Sequence, residues 1–312
     1  ADKLRQIVSA EDHEPTLTLE QADEGVLITG SDAKFKVMGY APQDFPALPE
    51  LTSKGLPTGF NSGVTLQTGK MSELIARTLF ATAREIGRYA IHGVLLQRHE
   101  GRLEMVATDS RRLALARATL RKDAFKGDKL RCIVPTKALQ LLQKLISADS
   151  DETMEIARAD NSVLFRIGDG EPRATLRSVL VEGSFPPYED VIPKDHDITV
   201  TLDRDLVSSA VRPAALLTNE ESRGVRLAFD GADRRLRLSS RAPEMGEANI
   251  EIDVAEYQGN DIEIGFNPGF ITEALRVIPL PEVMLELKAP GKPGLLRSGD
   301  DFIYVVMPVS LQ

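Results

Sequence analysis

One helical pattern returns at an almost fixed interval along this chain. Its clearest copy is Thr136-Lys137-Ala138-Leu139-Gln140-Leu141-Leu142-Gln143-Lys144-Leu145. Ala138, Leu141, Leu142 and Leu145 fall at i, i+3, i+4 and i+7, which predicts one buried stripe of an α-helix. Pro135 stands just before it, where a missing N–H costs nothing. Lys3 leads Leu4, Ile7 and Val8, and Lys70 leads Met71, Leu74 and Ile75. With Lys137 leading the third copy, both intervals are 67 residues. Weaker copies begin at Asp205, with Leu206 and Ala210, and at Phe270, with Ile271, Ala274 and Leu275; their intervals are 68 and 65. Five copies at a near-constant period predict an internal repeat, and a repeat decides the architecture before any single motif does.

Short runs of strand composition follow each helix: 93–97, 102–107 and 112–116 after the second, then 154–157, 162–167 and 174–179 after the third. Many alternate apolar with polar residues, as a sheet with one wet face does. Asp230-Gly231, Asp160-Asn161 and His99-Glu100-Gly101 read as hairpin turns. One unit is then a helix with about three antiparallel strands. Two units are expected to share a core, because one helix leaves much of a small sheet bare. The class is α+β. Two Pro-rich bends, Phe45-Pro46-Ala47-Leu48-Pro49 and Phe185-Pro186-Pro187-Tyr188, lie 140 residues apart and read as equivalent linkers. The expected domains are 1–60, 61–193 and 194–312. The first holds a single unit and reads as half a domain.

No apolar run is long enough to span a membrane, and residues 1–5 lack a signal-peptide core. The one cysteine, Cys132, excludes an internal disulfide and fits a reducing, cytoplasmic setting; in Cys132-Ile133-Val134 it reads as strand core. Net charge is −9, which alone argues against nucleic acid. Its distribution argues the other way. The helical windows 1–10, 70–89, 136–146, 203–214 and 269–277 hold 11 Lys and Arg against 6 Asp and Glu, a net of +5, so the rest of the chain carries −14. The repeated helices are basic on an acidic body. That segregation reads either as solvated helix faces or as one shared basic surface.

Catalytic signatures are missing. There is no Gly-x-Ser-x-Gly, His-Glu-x-x-His or Gly-x-Gly-x-x-Gly. Gly69-Lys70-Met71 lacks the hydroxyl residue that a phosphate-binding loop carries after its Lys. His13, His92, His99 and His196 have no metal-ligand spacing, so no metal or cofactor is expected. Two stretches stand out. In Val106-Ala107-Thr108-Asp109-Ser110-Arg111-Arg112-Leu113 a strand breaks, turns and resumes; the plain reading is a tight turn with Asp109 bonding its own backbone. The ending Ile303-Tyr304-Val305-Val306-Met307-Pro308-Val309-Ser310-Leu311-Gln312 is apolar almost throughout, whereas chain ends are usually polar. It reads as an edge strand or as part of a greasy groove.

At four stretches the chain resembles the bacterial sliding clamps, the beta subunits of DNA polymerase III. They are Arg88-Tyr89-Ala90-Ile91-His92-Gly93-Val94-Leu95, Val106-Ala107-Thr108-Asp109-Ser110-Arg111-Arg112-Leu113-Ala114, Asn219-Glu220-Glu221-Ser222-Arg223-Gly224-Val225-Arg226-Leu227, and Tyr304-Val305-Val306-Met307-Pro308. They span the second and third domains. Residues 1 to 51 resemble the later half of the family's first domain, the earlier half being absent.

The resemblance implies a DNA-clamp fold and a head-to-tail homodimer ring around duplex DNA. It implies a non-catalytic processivity factor that tethers the polymerase alpha subunit, the clamp loader and other clamp-motif proteins. Arg84, Arg88, Tyr89, Lys137 and Arg223 would face DNA through weak, sequence-independent phosphate contacts. Ile91, Thr108, Arg112, Leu113, Pro186, Val191, Val305, Met307, Pro308 and Val309 would wall a groove for Leu/Phe-bearing peptides. Lys3, Ile7, Lys34 and Phe35 would meet Leu216, Leu217 and Glu247 at the subunit interface. Arg111 stands where the family often has His, and Ser310 where a basic residue can follow; both bear on the groove's rim. A metal-dependent nuclease and a protein-only repeat scaffold remain the readings from other classes.

Overall fold

A computed structural model describes the chain except for residues 1, 11–15, 24, 41, 45–55, 57–58, 86, 122–129, 219–223, 244 and 311–312. The chain forms two compact units, Ala1–Leu51 and Thr52–Gln312. Among its described residues the first unit has one α-helix, α1 (Asp2–Ala10), and an antiparallel meander of β1 (Thr18–Ala22), β2 (Gly25–Thr29) and β3 (Lys34–Met38). Among its described residues only Ile28 is buried, and α1 buries none. One helix and three strands remove too little apolar surface from water for a full core.

The second unit begins with β4 (Asn61–Gln67), α2 (Thr68–Thr78), β5 (Gly93–His99), β6 (Arg102–Thr108) and β7 (Arg112–Thr119). Next come β8 (Arg131–Pro135), α3 (Thr136–Leu145), β9 (Thr153–Arg158), β10 (Ser162–Ile167) and β11 (Ala174–Val179). The later half runs β12 (Ile198–Asp203), α4 (Arg204–Ala214), β13 (Val225–Asp230), β14 (Arg235–Ala242), β15 (Gly246–Asp253), β16 (Glu256–Gln258) and β17 (Ile262–Phe266). It ends with α5 (Pro268–Arg276), β18 (Glu282–Leu287), β19 (Gly294–Ser298) and β20 (Phe302–Val306).

The sequence repeat is a structural one. Four times a strand runs straight on to a helix: β4 to α2, β8 to α3, β12 to α4 and, across Asn267, β17 to α5. The four ends are satisfied differently. Asp203 accepts the Leu206 N–H at 2.8 Å, and Asn267 accepts that of Gly269 at 2.9 Å, with Pro268 in the first turn. α2 has no side-chain cap. Its first N–H groups donate to the Glu152 and Ser150 carbonyls instead.

Among the described residues of this unit three antiparallel sheets result, in orders β11-β10-β9-β4, β16-β12-β18-β19-β20-β7-β6-β5-β8, and β15-β14-β13-β17. The nine-stranded sheet is continuous across two modules and, among the described residues, joined only where β20 pairs with β7. The main core lies between sheets and helices. Met71, Leu74 and Ile75 of α2 pack there with Ala107, Ala114, Ala116, Tyr304 and Val306. The small side chains of Ala114 and Ala116 let α2 lie on β7.

Three expectations change. The buried face of α3 is Ala138, Leu139 and Leu142, while Leu141 and Leu145 are exposed, so the stripe is rotated toward Leu139. The second helix does not run from 70 to 89. Thr78 turns its hydroxyl back on the Leu74 carbonyl at 2.8 Å, a 3-10 turn Leu79–Ala81 follows, and the described residues between it and β5 are a connector. The helices trimmed to their observed ends keep a net charge of +5, with nine basic and four acidic residues, so the basic surplus belongs to the helices themselves. Finally, β5, β6, β7 and β20 are buried on both faces rather than wet on one, whereas β13 and β14 alternate as expected.

Candidate peptide groove and basic surface

Strand register builds the candidate groove row by row on the face of the nine-stranded sheet away from the helices. Thr108 lies opposite Leu113 across β6 and β7, and Leu113 lies opposite Val305 across β7 and β20. Directly opposed residues share a face. The neighbouring row on that face is Ile133, Leu95, Val106, Leu115 and Ile303. These apolar side chains form one buried cluster with Ala90, Phe185, Tyr188 and Leu295.

The segment after β11 covers part of this face. Phe185 and Tyr188 are buried in the cluster with their rings edge to face at 6.3 Å. The Ala90 N–H donates to the Ser184 carbonyl at 3.1 Å, and the Val181 N–H to that of Ile133 at 2.9 Å. Tyr188–Asp190 is a single 3-10 turn closed by the Val191 N–H on the Tyr188 carbonyl at 3.0 Å. On the other border β20 runs out as Met307, Pro308 and Val309. The Met307 N–H donates to the Arg111 carbonyl and the Val309 N–H to that of Gly265, both at 2.9 Å. Met307 is 39% exposed and Val191 46%. Wet apolar groups bordering a dry apolar floor are what a peptide anchor can displace water from.

Of the residues expected in the groove, Thr108, Leu113 and Val305 form the floor and Ile91 packs against it. Pro186, Val191, Met307, Pro308 and Val309 lie on the bordering segments. Arg112 departs from the expectation. It is one residue from Leu113 on a strand, so its side chain leaves the opposite face, as does its partner Val306. There the guanidinium pairs with Glu273 and lies 4.4 Å over the Phe270 ring.

The turn before β7 is rigidly bonded. Asp109 accepts the N–H groups of Arg111 and Arg112 at 3.0 Å each, as the plain reading of this stretch expects. The Thr108 hydroxyl donates to the Arg112 carbonyl at 2.7 Å and accepts the Ser110 N–H at 3.2 Å. These bonds hold Ser110 at φ +74°, in the left-handed region.

Sequence reasoning missed the polar patch on the same face. Glu104 accepts from Arg117 at 2.8 Å and from Gln97 at 2.9 Å, and Gln97 also bonds the Tyr188 hydroxyl at 2.8 Å. A carboxylate inside the otherwise apolar run Leu103-Glu104-Met105-Val106 was the available signal, because a buried charge requires partners. Burial, with help from the Glu104 and Glu189 carboxylates, pushes the Tyr188 phenol above its ordinary 10. A phenol held protonated by the fold contributes stability that is full below pH 10 and lost as pH rises through the raised value. Tyr304 is shifted the same way by burial. Tyr188→Phe is therefore expected to make the fall of Tm between about pH 9 and 11 shallower than in wild type. Thermal melts across that range check it, and identical slopes contradict it.

The candidate DNA-facing residues divide. Lys137 is exposed in the first turn of α3. Arg84, Arg88 and Tyr89 are exposed, yet on the connector after α2 rather than on a helix, with the Arg88 guanidinium 5.6 Å over the Tyr89 ring. Arg223 lies outside the described residues. Of the candidate interface residues, Lys3 and Lys34 are exposed and Ile7 and Phe35 half-buried within the first unit. In the second unit Leu216 is 74% exposed and Leu217 half-buried on the 3-10 turn after α4. Glu247 is exposed on β15, the edge strand of its sheet. Met245, also exposed beside that edge, was not anticipated. Cys132 is buried, which pushes its thiol up to about 12.

Residues 65–187 match the central domain, and residues 189–310 the C-terminal domain, of the DNA polymerase III beta subunit. The beta sliding clamp of Pseudomonas putida is 32% identical over 313 aligned residues, covering 100% of this chain and 81% of the relative. The crystal structure of the DNA polymerase III subunit beta from Pseudomonas aeruginosa superposes with a TM-score of 0.81 at 31% identity, over 98% of this chain and 81% of that one. A DnaN sliding clamp from the same organism, solved bound to griselimycin, superposes at 0.80 with 30% identity, over 98% and 80%. The continuous sheet, the repeated strand-to-helix joints and these likenesses agree: the chain belongs to the DNA polymerase III beta subunit family, the beta sliding clamps.

Proposed function

We propose that this chain is a processivity factor, a non-catalytic clamp that encircles duplex DNA as a head-to-tail homodimer. It tethers the replicative polymerase alpha subunit, the clamp loader and other clamp-motif proteins in the cytoplasm. The observation that carries this reading is the β7–β20 joint, where one sheet crosses two modules. One face of that joint is covered by the helices α2 and α5 and the other bears an apolar groove. Lys137, Arg84, Arg88 and Tyr89 meet phosphates, and Arg223 is assigned with them from its motif. The interface brings Lys3, Ile7, Lys34 and Phe35 of one protomer to Leu216, Leu217 and Glu247 of the next. Domains 1–60, 61–193 and 194–312 are the working division. Neither a metal-dependent nuclease nor a protein-only scaffold finds support among the relatives.

The groove takes peptides with Leu and Phe anchors, and griselimycin competes for it. A fluorescent Leu/Phe-bearing peptide is expected to bind this chain and to be displaced by griselimycin in anisotropy titrations. Binding of the peptide with no displacement at saturating griselimycin would separate the two sites and remove the groove assignment.

A further inference from the structure

The guanidinium of Arg112 is nearly buried and joins parts of the sheet that are far apart in sequence. On its own module it bonds Asp109 through Nε at 3.0 Å and the Phe80 carbonyl at 2.9 Å, and lies 5.4 Å over the Phe80 ring. Across the joint it pairs with Glu273 and stacks over Phe270, both on α5. α5 is in turn fastened to the last strand, because the Tyr304 hydroxyl donates to the Phe270 carbonyl at 3.0 Å. Among the described residues the β7–β20 ladder is the only strand pairing at this joint. Arg112 is thus a clasp on its back, directly behind Leu113 and Val305.

We propose that Arg112 is a positioning residue for the groove: acting through Glu273 on α5, it sets how β20 and its extension Met307–Val309 stand against Leu113, without touching the peptide. This rests on the groove reading above. A cation pinned by carboxylates on both modules and by two aromatic faces resists splaying of the joint, and Lys cannot reproduce the planar, stacked geometry. Removing one partner of such a buried set leaves the others unpaired, so the joint relaxes even though every apolar wall residue remains.

The test is a double-mutant cycle in the full chain, read as peptide affinity by anisotropy, with Met307→Ala alongside. Arg112→Gln is expected to weaken binding about tenfold and Glu273→Gln by several-fold, with the double variant no weaker than Arg112→Gln alone. Arg112→Lys should recover part of the loss through its charge, an outcome that general loss of packing does not give. Additive effects, or a folded Arg112→Gln with wild-type affinity, overturn the proposal. If Arg112→Gln fails to fold, wild-type affinity in Glu273→Gln, an exposed-side partner, overturns it equally. If Met307→Ala binds like wild type the groove itself is lost; if Met307→Ala weakens binding and Arg112→Gln does not, only the positioning role is lost.

Discussion

Met307→Ala is expected to weaken binding of a Leu/Phe-bearing peptide by about fivefold while leaving the fold intact. Met307 stands just past β20, tied to the Arg111 carbonyl, and is 39% exposed in the free chain. The remaining exposure is what a peptide anchor would cover. Burying a side chain of this size is worth about 1.5–3 kcal/mol in full, and only the exposed part remains to be covered, so about 1 kcal/mol is at stake. A flexible thioether also adapts to Leu or Phe alike, which suits a groove with several partners. Because Met307 is not core, the melting temperature should move little. Val179→Ala, an exposed apolar residue on a different sheet, is the control and should bind as wild type. Equal affinity in Met307→Ala and wild type would mean that peptides dock elsewhere.

Glu104→Ala should cost the second unit about 3 kcal/mol of stability, the usual result of breaking a buried ion pair from one side. Glu104 is buried and serves Arg117, Gln97 and, at 3.4 Å, the Tyr188 hydroxyl. Its removal leaves a cation and two polar groups without their shared acceptor beneath the segment that carries Pro186 and Val191. Replacing the pair together, Glu104→Leu with Arg117→Leu, should recover much of the loss, because no charge is then left unpaired. Urea titrations compare the midpoints. A single variant with the wild-type midpoint would show that the network contributes nothing to the fold.

Periodicity makes the architecture legible in the sequence. Lys70 and Lys137 each stand near the start of a helix that follows directly on a strand, and the turns at Glu100-Gly101 and Asp230-Gly231 fall where strands reverse. Helix faces were less legible. Leu139 and Leu141 are equally apolar, and only packing on the sheet decides which is buried. The end of α2 was hidden as well, because a back-bonded Thr78 stops it without Gly or Pro at that point. At the groove, motif resemblance sets Leu113, Val305 and Arg112 all among the walls; strand pairing puts Leu113 and Val305 on one face and turns Arg112 to the other. Tyr188 and Glu273 could not be found from sequence, since their partners lie 84 and 161 residues away.

In the proposed ring, basic helices on repeated modules close around DNA, so that topology rather than affinity retains the clamp. Gel filtration of the full chain loaded on a nicked circular DNA, before and after cutting the circle once, measures this directly. The chain is expected to travel with the circle at moderate salt and to leave once the DNA has free ends, because individually weak phosphate contacts do not hold it there. Retention that is equal on circle and linear DNA, or that disappears from both alike as salt rises, would contradict it.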